Sequence, residues 1–205
     1  MAFGVWNGGV GSLRRTLLGA AMALGLSGCA SVLGGGATTI IYDLEIPDVG
    51  QTGLGSIVAV PAASAVRVLE TERIAVRSTP STYAFYPNAA WTDALPDLVQ
   101  ARVVQAFEDA SALRTVGRSS DGLAARYQLL LDIRAFELAS GPPATARVSL
   151  SAKLLNLSSG AVVAGTVTSA DVAAGSDTAE DAVDALNAAF EATMRDIVAW
   201  AGRQV

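Results

Sequence analysis

The chain has one cysteine, Cys29, and its thiol is the side chain best placed for a covalent reaction. It follows Ser27–Gly28, small residues that let a peptidase close on the backbone. Upstream, Arg14–Arg15 precede an apolar stretch over residues 16–26, which is the arrangement of a secretory signal peptide. This stretch is far shorter than the ~20 residues that a membrane-spanning helix needs. Because a thiol directly after the cut can accept a diacylglycerol, the pattern predicts cleavage before Cys29 and lipidation of its sulfur.

The residues around Cys29 resemble the lipobox of bacterial lipoproteins and divide the chain into three predicted parts. These are a signal peptide over residues 1–28, a flexible glycine-rich tether over 29–38 and a single domain over 39–205. The position after Cys29 holds Ala30, not an aspartate, which would resemble an inner-membrane retention signal. This implies an anchor in the outer membrane, with the body on its periplasmic face. The alternative for Cys29 is a buried structural cysteine that follows a leader.

The charge balance argues against nucleic acid as a partner and against a basic membrane-binding patch. The chain has 14 Lys and Arg residues against 19 Asp and Glu residues, a formal net charge of −5. Loss of the leader would remove two arginines and leave 177 residues with a net charge of −7. An acidic body is not attracted to phosphate backbones or anionic headgroups. We therefore expect the lipid on Cys29 to make the membrane contact. This lipid is expected to be diacylglycerol together with palmitate, and two or more acyl chains anchor a protein stably.

The sequence has no histidine, which removes most routes to catalysis. Ser-His-Asp and Cys-His arrangements and histidine-containing metal sites are excluded, and a lipidated Cys29 offers no thiolate. The adjacent acids Glu180 and Asp181 point apart on a helix and favour a role at the helix start. Asp43 and Glu45 could share a strand face, where we favour a solvated or salt-bridged edge. We predict a protein that is not an enzyme and holds no metal, with the covalent lipid in place of a cofactor.

Four aromatic residues, Tyr83, Phe85, Tyr86 and Trp91, fall within nine positions just before a predicted helix. Aromatic side chains give large contact area at low entropic cost and are enriched at binding hot spots. We predict a loop over residues 83–91 and leave two interpretations open. The aromatics bind a partner, or they pack beneath the loop and fix the helix start to the sheet. In a mixed outcome Trp91 is buried while Tyr83 or Phe85 faces a partner.

Alternation of apolar and polar residues predicts the strands. They are expected over residues 39–45, 56–61, 73–77, around 113–116, 127–135, 146–154 and 163–169. In the last of these, Val163 and Val167 are predicted to lie on the apolar side together with Gly165 and Ser169.

Helical spacing predicts two amphipathic helices. Thr92 opens the first, whose apolar stripe is Leu95, Leu98, Val99, Val103, Ala106 and Phe107. Asp177 is predicted to cap the second, with Glu180 completing a capping box, and Asn187 is expected to satisfy a backbone group at a strand end. The stripe of this second helix is Val183, Leu186, Phe190, Met194, Ile197 and Ala201. We predict an α+β fold, a two-layer sandwich of a mostly antiparallel sheet with two long helices packed on one face.

The order of four short motifs resembles that of a known family. They are Tyr42-Asp43-Leu44, Arg73-Ile74-x-x-Arg77, the segment from Tyr86 to Trp91, and Ala185-Leu186-Asn187. The order of these motifs along the chain is similar to that in the PqiC-like auxiliary lipoproteins of ABC-type transport systems with MCE-domain proteins. Members often have a basic residue before the tryptophan, where this chain has Ala90. The resemblance implies an outer-membrane partner of an MCE protein that bridges the periplasm, and a homo-oligomer is a further state to test because some relatives form rings.

We therefore expect a lipid-anchored periplasmic auxiliary subunit of an MCE-type ABC lipid transport system, which docks the bridging MCE protein at the outer membrane. Two alternatives stay open. One is a carrier that shields a lipid tail between sheet and helices. The other is a lipoprotein cofactor of a cell-wall synthase, anchored in the same way but with a different partner.

Overall fold

The computed structural model describes residues 1, 4, 38–51, 55–110 and 116–204. Within the chain, Thr39–Val205 form a compact unit. The predicted signal peptide over residues 1–28, the lipidation site Cys29 and the tether as far as residue 37 lie almost entirely outside the described residues. These assignments stay predictions.

The described part of the chain contains nine strands and two α-helices, besides two 3-10 helices of one turn each at Arg67–Leu69 and Ser119–Asp121. The strands are β1 (Ile40–Tyr42), β2 (Val58–Val60), β3 (Ser64–Ala65), β4 (Arg73–Thr79), β5 (Thr82–Trp91), β6 (Val116–Arg118), β7 (Tyr127–Ala139), β8 (Thr145–Asn156) and β9 (Ala161–Ala173). The helices are α1 (Leu95–Ala110) and α2 (Ala179–Ala201). Of the predicted strand around residues 113–116, the structure describes Val116, which begins β6.

Strand β7 organises the sheet, because it is 13 residues long and has neighbours on both edges. One edge pairs with β8 in antiparallel fashion from Tyr127 to Ala139, and β9 continues antiparallel beyond β8. The other edge receives β2, β3 and β4 one after another, each parallel to β7. Strand β6 then pairs with β2, while β5 and β1 continue beyond β4. The result is a mixed sheet that curls into a half-barrel.

The predicted α+β class is confirmed, but the prediction of a mostly antiparallel two-layer sandwich is wrong. Besides the three strands on β7, β1 runs parallel to β5 and β6 runs parallel to β2. The physical reason is that α1 separates β5 from β6 and returns the chain across the molecule. A strand that follows such a crossover lies parallel to an earlier one, whereas a strand that follows a tight turn lies antiparallel.

The core lies between the sheet and the helices, and Phe136 of β7 is at its centre. Its ring meets the ring of Trp91 edge-on, with centroids 5.9 Å apart, and that of Phe190 in α2 at 6.0 Å. Helix α2 crosses β7, β8 and β9, and α1 packs beside β6. Both predicted helical stripes are fully buried, as are the predicted inward residues of β8, namely Ala146, Val148, Leu150, Ala152 and Leu154.

The predicted sidedness of β9 is wrong. Val163 and Val167 are each 52% exposed, whereas Ala164 and Val172 are half-buried against the core. The pairing explains the difference, because buried Leu154 of β8 stands opposite Ala164. From Ala164 to Ala173 the pairing is regular, so Val167, opposite Ser151, lies on the other face from Ala164, and Val163 falls in the irregularity between Leu154 and Leu155.

Both helices begin slightly later than predicted. The cap of α2 is Thr178, not Asp177: its hydroxyl accepts from the backbone N–H of Asp181 at 3.3 Å, the bond that an N-cap side chain forms. Helix α1 begins at Leu95 instead of Thr92. The Thr92 backbone N–H donates to the carbonyl of Tyr42, which continues the pairing of β5 with β1 and delays the helix.

Replacement of Phe136 tests the centre of this core. We expect Phe136→Ala to lower the free energy of unfolding by about 3–5 kcal/mol, because it removes a buried ring that contacts two others. Urea denaturation at pH 7 measures the change. Val163→Ala, at an exposed position of β9, is the matched control and should stay within about 0.5 kcal/mol of the parent. A larger loss in the control than in Phe136→Ala would contradict the assignment of the two positions.

Candidate functional site

The aromatic segment predicted as a loop is strand β5, so that prediction is wrong. Pro87 and Asn88 mimic a turn in the sequence, but here they form a bulge inside the strand. Asn88 has a φ of 56°, a left-handed conformation that asparagine tolerates better than most residues. Opposite the bulge, β4 advances only two residues, from Arg73 paired with Ala90 to Ala75 paired with Phe85. The strand therefore continues on both sides of the bulge.

Strand pleating separates the four aromatic residues. Tyr83 and Phe85 lie on the outer face of the sheet, the side opposite the helices. Tyr86 points the other way, and its hydroxyl donates to the backbone carbonyl of Asp177, just before α2, at 2.9 Å. Trp91 is only 2% exposed and belongs to the core. The partner contacts of the four aromatic residues stay predictions.

A row of residues in register crosses the outer face. Phe85 of β5 stands opposite Ala75 of β4, which stands opposite Glu137 of β7. Glu137 in turn faces Arg147 of β8, which faces Asp171 of β9. Five strands thus bring together one aromatic ring and three charged groups that are far apart in the sequence.

Arg77 ties the aromatic and charged parts of this face together. Its Nε donates to Glu137 Oε1 at 2.9 Å, its Nη1 donates to the carbonyl of Pro80 at 3.0 Å, and its Nη2 donates to the Tyr83 hydroxyl. Its guanidinium also stacks 4.0 Å from the centre of the Tyr83 ring. The hydrogen bond to Glu137 raises the pKa of Arg77, so the side chain stays charged.

Two further arginines extend the pattern on either side. The Arg73 guanidinium lies 3.9 Å from the centre of the Phe85 ring. Arg147 donates to both carboxylate oxygens of Asp171, at 2.7 and 3.3 Å, which raises the pKa of Arg147. We call this surface the arginine–aromatic face; it comprises Arg73, Arg77, Tyr83, Phe85, Glu137, Arg147 and Asp171.

Glu137 is the unusual member of the arginine–aromatic face, because it is 2% exposed although it points away from the core. Its Oε2 atom is buried and accepts no hydrogen bond from the residues that the structure describes. Burial, and then a hydrogen-bonding contact with the Glu137 carboxylate, raise the pKa of Tyr83 to about 12. The Tyr83 hydroxyl accepts from Arg77, and among the described residues it forms no well-aligned hydrogen bond to Oε2. A cleft of about 380 Å³ adjoins this carboxylate.

The predictions for the segment after β1 are confirmed. Asp43 forms an ion pair with Arg102 of α1 and accepts from the Thr92 hydroxyl at 3.1 Å, so it belongs to a salt-bridged edge. Burial acts to raise the pKa of Asp43, but the hydrogen bonds from Arg102 and Thr92 outweigh it and lower the pKa. Asn187 accepts from the backbone N–H of Glu45 at 3.0 Å, the backbone role expected for it.

Contacts within the arginine–aromatic face hold its side chains in place. Arg77 pairs with Glu137, Arg147 pairs with Asp171, and Arg73 stacks on the Phe85 ring. In the described ranges, no group of three or more acidic, histidine or cysteine side chains could hold a metal ion. No helix in the same ranges is long and apolar enough to cross a membrane. Arginine and tyrosine are the residue types that carry much of the energy at protein interfaces.

Tyr86 gives a test of the bond between β5 and the start of α2. Burial, and then the carboxylates of Asp177 and Asp181, raise the pKa of Tyr86 to about 12. Since the ordinary value is about 10, its contribution to stability is complete below pH 10 and is lost as the pH rises toward 12. Tyr86→Phe should cost about 0.5–1.5 kcal/mol at pH 7 and should lose less of its remaining stability between pH 10 and 11.5. Urea denaturation at both pH values measures this, and an unchanged alkaline slope would contradict it.

Comparison with known proteins agrees with this architecture. The model of the ABC-type transport auxiliary lipoprotein component family matches residues 42–198. An uncharacterized protein of Bradyrhizobium diazoefficiens is 32% identical over an alignment of 180 residues, which covers 85% of this chain and 48% of that protein. The chain therefore spans about half the length of this curated relative.

Two solved structures share the fold. One is the crystal structure of a Xanthomonas campestris protein of the DUF330 family, with a TM-score of 0.72 and 28% identity, covering 81% of this chain and 98% of that one. The other, the crystal structure of an uncharacterized protein, has a TM-score of 0.63 at 14% identity, with 80% and 98% covered, and is alike in fold alone. Because the family match extends from the end of β1 through most of α2, the chain belongs to the ABC-type transport auxiliary lipoprotein component family.

Proposed function

We propose that this protein is the lipid-anchored periplasmic auxiliary subunit of an MCE-type ABC lipid transport system. In this role it docks the MCE protein that bridges the periplasm at the outer membrane. Membership of the family supports the auxiliary role in transport. The MCE partner and the docking role go beyond what family membership supports. They rest on the motifs described above and on the arginine–aromatic face.

The observation that carries the docking role is the composition of that face. Tyr83 and Phe85 are half-buried, each stacked by an arginine, so their rings are held rigidly while part of each stays accessible. Rigid aromatic and arginine side chains lose little conformational entropy when a partner binds. The helices cover the opposite side of the sheet, which leaves the outer face to a partner.

The proposed anchor is the lipid on Cys29. We expect a Cys29→Ser variant to move from the membrane fraction to the soluble periplasmic fraction, because the acyl chains would be the membrane contact. Fractionation of cells followed by immunoblotting measures the distribution, and mass spectrometry of the native N-terminus identifies the modification. Membrane association that persists in the Cys29→Ser variant, or an unmodified thiol in the parent, would contradict the anchor.

The proposed docking surface is tested by capture of the MCE protein. We expect Tyr83→Ala and Phe85→Ala each to weaken capture at least tenfold, because truncation at a hot spot costs about 2 kcal/mol or more and about 1.4 kcal/mol corresponds to tenfold. Val163→Ala, on an exposed part of β9, is the control and should bind like the parent. Circular dichroism and urea denaturation establish that each variant is folded. Undiminished capture by both folded variants would remove the arginine–aromatic face from the interface.

A further inference from the structure

We propose that the cleft beside Glu137 receives the ammonium group of a lysine side chain from the docked protein. The inference rests on the proposed function and names the chemistry of the partner's surface. The cleft lies where β4 and β7 end side by side and β8 begins. It is lined by Arg77, Ser78, Thr79, Pro80, Glu137, Ala139, Ser140 and Arg147.

The unpaired Oε2 atom of Glu137 is the first support. The large majority of buried side-chain oxygens accept a hydrogen bond, because a buried oxygen without a donor has lost its hydrogen bonds to water and gained none in the protein. Here Oε1 accepts from Arg77, while Oε2 accepts from no group in the described residues. The structure therefore holds, in a residue of the cleft wall, a buried acceptor that carries part of a negative charge and has no donor among the described residues.

The pairing of the two arginines is the second support, because it excludes an anion as the natural occupant. Arg77 is engaged by Glu137, Pro80 and Tyr83, and Arg147 donates through Nε and Nη2 to Asp171. An anion in the cleft would meet the Glu137 carboxylate and two arginines whose guanidinium groups are already bound by carboxylates. A donor bound at Oε2 meets a buried carboxylate oxygen to which no described residue donates.

The form of the donor follows from its charge and size. A charged N–H donor forms a bond to a carboxylate roughly twice as strong as a neutral donor does. Lysine carries a compact ammonium with three donors on a flexible apolar stem, which suits entry into a narrow cleft better than the planar fork of arginine. The chain as a whole has a net charge of −5 and attracts a basic partner over long range.

A lysine analogue tests the site without the partner. The purified full-length Cys29→Ser chain is titrated with N-acetyl-lysine amide, and the backbone amide signals of Ala139 and Ser140 are followed by NMR. We expect saturable shifts with this probe and none with its ε-N-acetyl form, which lacks the ammonium. Equal shifts with both probes, or no shifts with either, would overturn the proposal.

Glu137→Gln should weaken binding of the probe at least tenfold, because the amide nitrogen would face the incoming donor once Arg77 holds the amide oxygen. The matched control is Asp132→Asn, since Asp132 lies on the same strand with its carboxylate 51% exposed, and it should leave binding unchanged. If Glu137→Gln fails to fold, Ser140→Phe is the substitute, because its ring would fill the cleft and leave the Arg77–Glu137 pair intact. Binding by a folded Glu137→Gln or Ser140→Phe variant equal to the parent would contradict the site.

Failure of this inference is distinguishable from failure of the proposed function. If the parent captures the MCE protein but does not bind the lysine probe, the lysine site is wrong and the docking role stands. If the probe binds in a Glu137-dependent manner but the MCE protein is not captured, the docking role is wrong. Glu137-dependent sedimentation with phosphatidylethanolamine vesicles, together with Glu137-independent capture of the MCE protein, would assign the cleft to a lipid headgroup and overturn the lysine.

Discussion

The two-sided pairing of β7 is the constraint on which the rest of the structure depends. Because hydrogen-bonded neighbours hold both of its edges, the strand cannot rotate about its axis, and its pleat directs consecutive side chains to opposite faces. Phe136 therefore enters the core, where it joins Trp91 and Phe190, while Glu137 is forced to the outer face. One peptide unit thus separates the centre of the apolar core from the centre of the charged cluster.

Stability alone does not account for the buried charge of Glu137. Removing a carboxylate and a guanidinium from water costs several kcal/mol per ion, and replacement of such a pair by apolar residues is often neutral or stabilising. The partial exposure of Arg77, 27% for its side chain, reduces the cost without removing it. Tyr83 and Phe85 cover the arginines by stacking, so the cluster is screened from water yet stays at the surface. A buried charge that is kept without a gain in stability is more consistent with a role in recognising a partner.

Much of the packing could be predicted from the sequence, but the pairing of strands and the candidate site could not. The period of 3.6 identifies the buried stripes of α1 and α2, and the period of 2 identifies the inward residues of β8. Periodicity indicates which face of a strand is apolar but not which strand lies alongside, so it does not predict the parallel additions to β7. The irregularity near Arg134 shifts the alternation of β7 by one residue, so alternation counted from Tyr127 places Glu137 on the core side, whereas it lies on the outer face. A glutamate between Phe136 and Leu138 is the signal that the sequence offers for this position.

The proposed anchor and the proposed docking face reinforce each other through distance. A fully extended tether over residues 29–38 spans at most about 35 Å, so a lipid on Cys29 would confine the body to a thin layer beside the membrane. Confinement of this kind raises the effective concentration of the body for any partner that reaches the same layer. A partner contact of modest intrinsic affinity then suffices, which agrees with a face built from a few stacked aromatics and one buried carboxylate. The same reasoning separates the two roles, because loss of the lipid would weaken docking at the membrane while leaving the intrinsic affinity of the soluble body unchanged.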